Sequence, residues 1–148
     1  MLEVVGDCRR LLDEFRAELE AAPEFRDRLR RVLGAVIGKE NVLFDPFTLV
    51  SHSTDATDWR LHLPVAVVTP TEEGRVAPLL AAIADLGLKA VPRGAGTGLT
   101  GGAVPLRPNC VVVNTEKLNR IRGVAARDFR LDDGRVESAQ VLSLEAGV

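Results

Sequence analysis

Cysteine, long apolar runs and blocks of like charge are all scarce in this sequence. The two cysteines, Cys8 and Cys110, lie far apart without Cys or His neighbours at ligand spacing, which argues against a disulfide framework or a metal site and favours a reducing cytoplasm. No apolar run approaches the roughly 20 residues that span a bilayer, and the N-terminal residues lack the apolar core of a signal peptide. The 19 basic and 21 acidic residues are interspersed, so neither nucleic acid nor an anionic membrane is an expected partner.

The residues that are present suit a soluble globular protein and divide the chain into three zones. Apolar residues make up 46% of the 148 positions and charged residues 27%, which permits a buried core. Residues 1–38 show helical spacing of apolar side chains and predict two helices, the second from Glu24 to Ile37. Residues 39–63 have little periodicity, and their Asp-Pro and Ser/Asp-rich stretches predict an extended lead-in that lies over the next domain.

The third zone, residues 64–148, alternates strands and helices. The apolar run Val65–Val68 predicts a buried strand, and Thr71 is the predicted cap of a helix that ends at Gly87. The next strand, Leu88–Val91, is expected to run parallel to the first after a right-handed crossover. Further extended segments are predicted at Cys110–Val113, Leu118–Val124, Arg127–Leu131, Arg135–Ala139 and Val141–Ala146, with a hairpin turn at residues 132–134.

A glycine-rich loop follows the second of these strands. Residues 92–102 read PRGAGTGLTGG, with five glycines in the nine residues from Gly94 to Gly102. Glycine lets the backbone adopt positive φ or approach a ligand closely, and successive free N–H groups can form a nest for phosphate oxygens. Thr97 and Thr100 can add hydroxyl donors. Arg93 can supply positive charge or pair with a carboxylate of the fold.

Other interpretations of the loop are less well supported. A Walker A loop needs a Lys after its last glycine, and none is present here. The Rossmann fingerprint G-x-G-x-x-G matches Gly96, Gly98 and Gly101, but its last glycine must open a helix, and Pro105 and Pro108 prevent one. A flexible loop that binds no ligand stays as a further alternative.

The loop and its flanks resemble the FAD-binding domain of the vanillyl-alcohol oxidase and p-cresol methylhydroxylase (PCMH) family, in its D-lactate dehydrogenase and glycolate oxidase branch. The segments that carry the resemblance besides the loop are Ser51–Arg60, Val67–Pro70, Leu88–Arg93, Lys117–Ile121 and Leu144–Val148. The resemblance implies an α+β fold. The chain would hold the first subdomain of a two-subdomain, PCMH-type FAD-binding domain and the opening strands of the second, after an N-terminal helical lead-in.

The resemblance also implies which residues meet the cofactor. FAD would lie between the two subdomains, with the loop backbone around its pyrophosphate and Pro70 near the adenine, while Leu118 and Asn119 lie close by in sequence. The implied cofactor-binding residues are Pro70, Arg93, Gly94, Ala95, Gly96, Thr97, Gly98, Thr100, Gly101 and Gly102. Some relatives carry a His in this loop that bonds covalently to the flavin; here the loop has no His or Cys, so FAD is expected to bind non-covalently.

The function implied is a flavin-dependent oxidoreductase that oxidises a D-2-hydroxy acid similar to lactate or glycolate. Neither catalytic residues nor metal ligands are assigned, and the chain alone is expected to be inactive, because the substrate domain would lie elsewhere. The alternative is a truncated, cofactor-free binding or assembly module. In either case the exposed strand edges predict self-association or pairing with the remaining domains or a second chain. A nucleotide-phosphate binder unrelated to flavin is a third possibility.

The remaining polar candidates are assigned structural roles. His52 and His62 are the only histidines, and each is expected to be a surface or capping residue rather than a base. Asp55 and Asp58 are expected to cap turns. Trp59 is expected to anchor the lead-in on the domain.

Overall fold

The structure is a computed structural model that describes residues 22–57 and 61–148. The first predicted helix, Cys8, Asp58 and Trp59 lie outside the described residues. Helix α1 covers residues 22–37 and ends at Gly38, whose φ of 89° terminates the helix. Leu29, Leu33 and Ile37 form its buried face, which confirms the second predicted helix.

The segment after α1 is more structured than the sequence predicted. It contains a 3-10 turn at Lys39–Asn41, a short strand β1 at Val42–Leu43 and a helix α2 at Pro46–Ser51. The expectation of an extended segment with loop chemistry at Asp45-Pro46 is therefore wrong in this part. These two residues instead start α2: Pro46 takes the first helical position, and the Asp45 carboxylate accepts the Thr48 N–H at 2.9 Å.

Four strands form the main sheet in the order β1-β2-β4-β3. Strand β2 covers Ala66–Val68, β3 covers Lys89–Arg93 and β4 covers Cys110–Asn114. Both β2 and β3 pair in parallel with β4, and β1 pairs antiparallel with β2. The predicted parallel direction of β2 and β3 is confirmed, although β4 lies between them. Because β1 belongs to the lead-in, the sheet extends across the predicted boundary at residue 64.

Helix α3 covers Val76–Asp85 and follows a 3-10 turn at Glu73–Arg75. The predicted capping role of Thr71 is wrong. Glu72 has extended backbone angles before the 3-10 turn, and α3 itself begins after Arg75 without a side-chain cap. Thr71 is exposed and lies outside both elements.

The sheet separates two apolar clusters. Because side chains alternate across a strand, neighbouring valines of β2 and β4 belong to opposite faces. One face packs against α1 and α3, and its buried residues are Leu29, Leu33, Ile37, Val42, Phe44, Ala66, Val68, Leu79, Ile83, Leu88, Val111 and Val113. The other face packs Val67 and Val112 against Leu49 of α2. Burial on both faces explains the continuous apolar runs in β2 and β4.

The last two strands form a hairpin that is separate from the main sheet. Strand β5 covers Ile121–Arg130 and β6 covers Val136–Leu144, paired antiparallel with an irregularity between Ile121 and Gly123. The four short segments predicted here merge into these two long strands, and the predicted turn at 132–134 is confirmed. All of β5 and most of β6 are exposed.

Candidate functional site

The carboxyl ends of the parallel strands β2, β4 and β3 meet at one edge of the main sheet, where ligands of open α/β sheets commonly bind. Asn114 ends β4 directly opposite Arg93 at the end of β3. The Thr115 amide extends this pairing by donating to the Arg93 carbonyl at 2.8 Å. The glycine loop leaves the sheet at this edge, immediately after Arg93.

The glycine loop, residues 94–102, has no regular secondary structure, and no helix occurs between Gly102 and β4. The Rossmann alternative is therefore excluded, since its last glycine must begin a helix. Most of the loop is exposed, and only Gly101 is buried. Gly96 and Gly101 have φ of 72° and 74°, a left-handed conformation that other residues adopt at a cost of about 1–2 kcal/mol.

The backbone amides of the glycine loop have no protein partner in the described parts of the chain. The backbone bonds of this region run from the Val104 amide to the Gly101 carbonyl and from the Ala56 amide to the Gly96 carbonyl. In both cases the loop contributes the oxygen and not the N–H. Backbone N–H groups that find no internal acceptor need water or a ligand. The loop thus offers a row of donors, as an anion nest requires.

Three of the loop glycines are not explained by the packing of the chain itself. A Cβ at Gly94 or Gly98 would meet no atom within 4 Å, and one at Gly102 would meet only the Thr100 hydroxyl at 3.8 Å. None of the three has a positive φ. Glycine at these positions leaves space that a side chain would fill, which fits the close approach of a phosphate group to the backbone.

Arg93 makes a contact that the sequence did not suggest. Its guanidinium lies over Gly96, where a Cβ would overlap it. The Nη1 group donates to the Thr54 carbonyl at 2.5 Å, across 39 residues of sequence. The guanidinium of Arg93 therefore hydrogen-bonds to a backbone carbonyl of the lead-in.

The turn 53–57 contacts the glycine loop from the lead-in side. Asp55 in this turn is buried, with 8% of its surface exposed. One carboxylate oxygen accepts the Thr57 amide at 2.9 Å and also the Thr57 hydroxyl, which confirms the predicted turn-capping role. These bonds, and more weakly the Ala103 amide and the Arg93 charge, lower the pKa of Asp55 below its usual value.

His52 occupies the C-cap position of α2, in agreement with the surface or capping role expected for the histidines. His52 Nδ1 lies 2.9 Å from the Thr48 carbonyl, and Nε2 lies 2.9 Å from Nδ2 of Asn114. A carbonyl can only accept, so Nδ1 carries the proton and Nε2 accepts from Asn114. His52 thus joins α2 to the end of β4. His62 is exposed.

The other residues implied by the resemblance differ in their exposure to solvent. Pro70 follows β2 and its side chain is fully buried, so this ring offers no surface to a ligand. Leu118 is buried and Asn119 is exposed. Thr97 and Thr100 are exposed in the loop. The sequence did not predict the involvement of Thr54 and Ala56, because neither residue type nor spacing signals a contact made through backbone atoms.

Two further features of the described residues bear on the site. Within residues 22–57 and 61–148, no group of three or more His, Cys, Asp or Glu is placed to hold a metal ion. None of the helices in these two ranges combines the length and the apolar character that crossing a bilayer requires.

Comparison with known proteins identifies the family. Residues 64–142 match the family described as "FAD binding domain", and this match covers more than half of the chain. The chain therefore belongs to this family of FAD-binding domains, and the cofactor that the family binds is FAD. The match includes the glycine loop and the main sheet from β2 onward.

Solved structures show the same fold. The chain is similar to p-cresol methylhydroxylase with bound substrate, with a TM-score of 0.56 and 22% identity over 67% of this chain. It is also similar to alkyldihydroxyacetonephosphate synthase, with a TM-score of 0.59 and 16% identity over 67% of this chain. A 4-ethylphenol oxidase from Gulosibacter chungangensis gives a TM-score of 0.56 and 20% identity over the same share. The match covers 20% of each of these proteins. The expected α+β, PCMH-type fold with a helical lead-in is confirmed.

Proposed function

We propose that the glycine loop holds the pyrophosphate of FAD through its backbone amides. The observation that supports this most directly is the row of loop N–H groups without an acceptor in the described residues, next to glycines whose missing side chains leave open space. A hydrogen bond from an N–H group to a charged oxygen contributes about 1.5–3 kcal/mol. A few such bonds supply much of the affinity of a dinucleotide site. The hydroxyls of Thr97 and Thr100 add further donors.

The proposed contact set is the one that the sequence implied, with altered roles for two members. Gly94, Ala95, Gly96, Thr97, Gly98, Thr100, Gly101 and Gly102 form the cradle. Arg93 stabilises the cradle through its hydrogen bond to the Thr54 carbonyl. Pro70 follows β2 and its ring is fully buried. We therefore propose that it packs inside the protein and does not touch FAD.

We further propose that FAD is held non-covalently. Residues 93–102 contain no His or Cys. Both ring nitrogens of His52 already have hydrogen-bonding partners, and the thiol of Cys110 is free and buried. A free, buried thiol is also compatible with the cytoplasmic location proposed from the sequence.

The complete protein is proposed to be an oxidoreductase that acts on a D-2-hydroxy acid. Support for this substrate comes from the resemblance of the segments around the loop to the D-lactate dehydrogenase and glycolate oxidase branch. When bound, FAD supplies the hydride acceptor of such a reaction. The part of the chain that the structure describes binds and orients; residues that hold the substrate carboxylate and remove its proton are proposed to lie in other domains.

Titration of the purified chain with FAD tests the cofactor site. We expect the flavin fluorescence to change saturably, and a yellow colour that is released on denaturation. Gly98→Asp puts a carboxylate into the open space of the cradle, where repulsion of the phosphates should abolish binding. Gly74→Asp is the matched control, because Gly74 also has open space around it but lies before α3. Equal affinity of the two variants would remove the loop from the site.

The alternative of an assembly module is supported by the hairpin of β5 and β6. The hairpin carries large exposed apolar side chains, with Ile121 and Val124 each about two-thirds exposed (66% and 65%). An isolated two-stranded hairpin is marginally stable in water, so self-association or pairing with further strands would cover it. Sedimentation of the FAD-free chain tests this function: an oligomer that does not bind FAD favours the module, and a monomer that binds FAD refutes it.

A further inference from the structure

The turn 53–57 of the lead-in makes two hydrogen bonds here, one to the glycine loop itself and one to Arg93 immediately before it. The Ala56 amide donates to the Gly96 carbonyl at 3.1 Å. Arg93 donates to the Thr54 carbonyl at 2.5 Å while its guanidinium covers Gly96. The buried Asp55 carboxylate lies between these two contacts in sequence. The turn therefore contacts Gly96 within the loop and Arg93, the residue that precedes the loop.

We infer that the turn 53–57 is a strut that sets the shape of the glycine loop, and that Asp55 is its positioning residue. This inference rests on the proposed role of the loop as the pyrophosphate site. It also reassigns Arg93, the one cation next to the cradle in sequence, from a ligand of the phosphates to a part of the support.

The geometry explains why Asp55 is suited to this task. One of its oxygens accepts two bonds from Thr57, and these bonds close the turn. The other oxygen is buried and has no hydrogen-bonding partner among residues 22–57 and 61–148, which is a rare state for a buried polar atom. The Ala103 amide and the Arg93 charge both lower the Asp55 pKa, though less than the bonds from Thr57 do.

The contacts from the turn matter because the glycine loop has few bonds of its own that hold its shape. A loop with five glycines has high conformational entropy when free. Its amides form no internal bonds among the described residues, so the N–H groups of the loop contribute nothing to fixing its shape. Contacts from the turn fix Gly96 at its positive φ before any ligand arrives, and such preorganisation increases affinity by reducing the entropy lost on binding.

The test separates the shape of the loop from its binding of FAD. In the ¹⁵N-labelled, FAD-free chain, Asp55→Ala should shift the amide resonances of residues 94–102 and accelerate exchange of the Ala56 amide by about tenfold, the equivalent of one lost hydrogen bond. Core amides such as Val67 and Val112 should keep their exchange rates. Asp55→Asn keeps one acceptor oxygen for the Thr57 amide and should restore part of the protection. Asp132→Ala, at an exposed carboxylate of the hairpin turn, is the matched control and should change neither.

A parallel FAD titration completes the test. The expected result is an affinity about tenfold weaker for Asp55→Ala, with Asp55→Asn in between. If the Ala56 amide and the loop resonances are unchanged in Asp55→Ala, the strut is refuted. If the loop loosens but the affinity for FAD is unchanged, the positioning role is refuted. If the loop loosens and the unaltered chain binds no FAD, the proposed function fails while the strut stands. Should Asp55→Ala fail to fold, Asp55→Asn and Arg93→Lys take its place in the same measurements.

Discussion

Substitution of Gly96 by alanine, compared with the same substitution at Gly98, separates the two reasons for glycine in the loop. Gly96 has a φ of 72°, and its added methyl group would overlap the guanidinium of Arg93. Gly98 has no positive φ and has open space around it. The first position needs glycine for the fold of the chain itself, and the second needs it only if a ligand approaches.

The magnitudes differ accordingly. The left-handed backbone costs alanine about 1–2 kcal/mol, and displacing Arg93 removes its bond to the Thr54 carbonyl, which contributes about 1.5–3 kcal/mol. The loop lies at the edge of the sheet and can rearrange locally, which limits the loss to the lower part of this range. Since the two contributions together amount to about 2.5–5 kcal/mol, we expect Gly96→Ala to lower the free energy of unfolding by about 2.5–3 kcal/mol, or the Tm by about 5–12 °C. For Gly98→Ala the expected change is within about 0.5 kcal/mol.

Denaturant unfolding followed by circular dichroism measures the free energy of unfolding of both variants. An FAD titration of the same samples measures their affinity for the cofactor. Gly98→Ala should weaken FAD binding without loss of stability, because its methyl group occupies the space left for the phosphates. Gly96→Ala should lose both stability and affinity. Equal changes in stability for the two variants would refute the role assigned to Gly96, and full affinity in Gly98→Ala would refute the open space as a ligand site.

Three further predictions concern the apolar core, His52 and the dependence of stability on pH. Leu33→Ala in the core should lower the free energy of unfolding by about 2–5 kcal/mol, whereas Val124→Ala on the exposed hairpin should change it by less than about 0.5 kcal/mol; chemical denaturation measures both, and comparable losses would contradict the assigned core. His52→Phe leaves the buried Nδ2 of Asn114 without an acceptor and should cost about 1–3 kcal/mol in the same assay, with no loss indicating that the pair contributes nothing. Because the pKa of Asp55 is lowered in the folded chain, its stabilising contribution is present above the usual value of 3.8 and is lost as the pH falls below it. The difference in Tm between the unaltered chain and Asp55→Asn should therefore shrink as the pH falls from about 6 to about 2. A difference that grows on acidification would refute the lowered pKa of Asp55.

Several elements could be predicted from the sequence because their signals are local. The second predicted helix has apolar residues at helical spacing and a glycine at its end, and the structure confirms it up to Ile37. The valine runs of β2 and β4 indicate strands covered on both faces, and both are buried throughout. The two prolines after the glycine loop exclude a helix there, as the structure confirms.

The errors arose where a local signal fits two structures. An Asp-Pro pair occurs in turns and also at helix starts, and the choice at Asp45 depends on Leu49 packing against Val67 and Val112 beneath the sheet. Thr71 resembles a helix cap, but the chain first makes a 3-10 turn. The four extended segments after Leu118 merge because pairing between β5 and β6 continues through residues that individually have weak strand preference.

By itself, the amino-acid sequence determined most of the elements and the position of the glycine loop proposed to bind phosphate, because helical spacing, apolar runs and clustered glycines act over a few neighbouring residues. Only the tertiary structure decided which glycine is required by the fold and which leaves room for a ligand, and that Arg93 binds a carbonyl of the lead-in. These contacts join residues about 40 positions apart, and in both of them the lead-in takes part through a backbone atom. Every residue type carries the same backbone N–H and carbonyl groups, apart from proline, so such contacts leave no signature in the sequence.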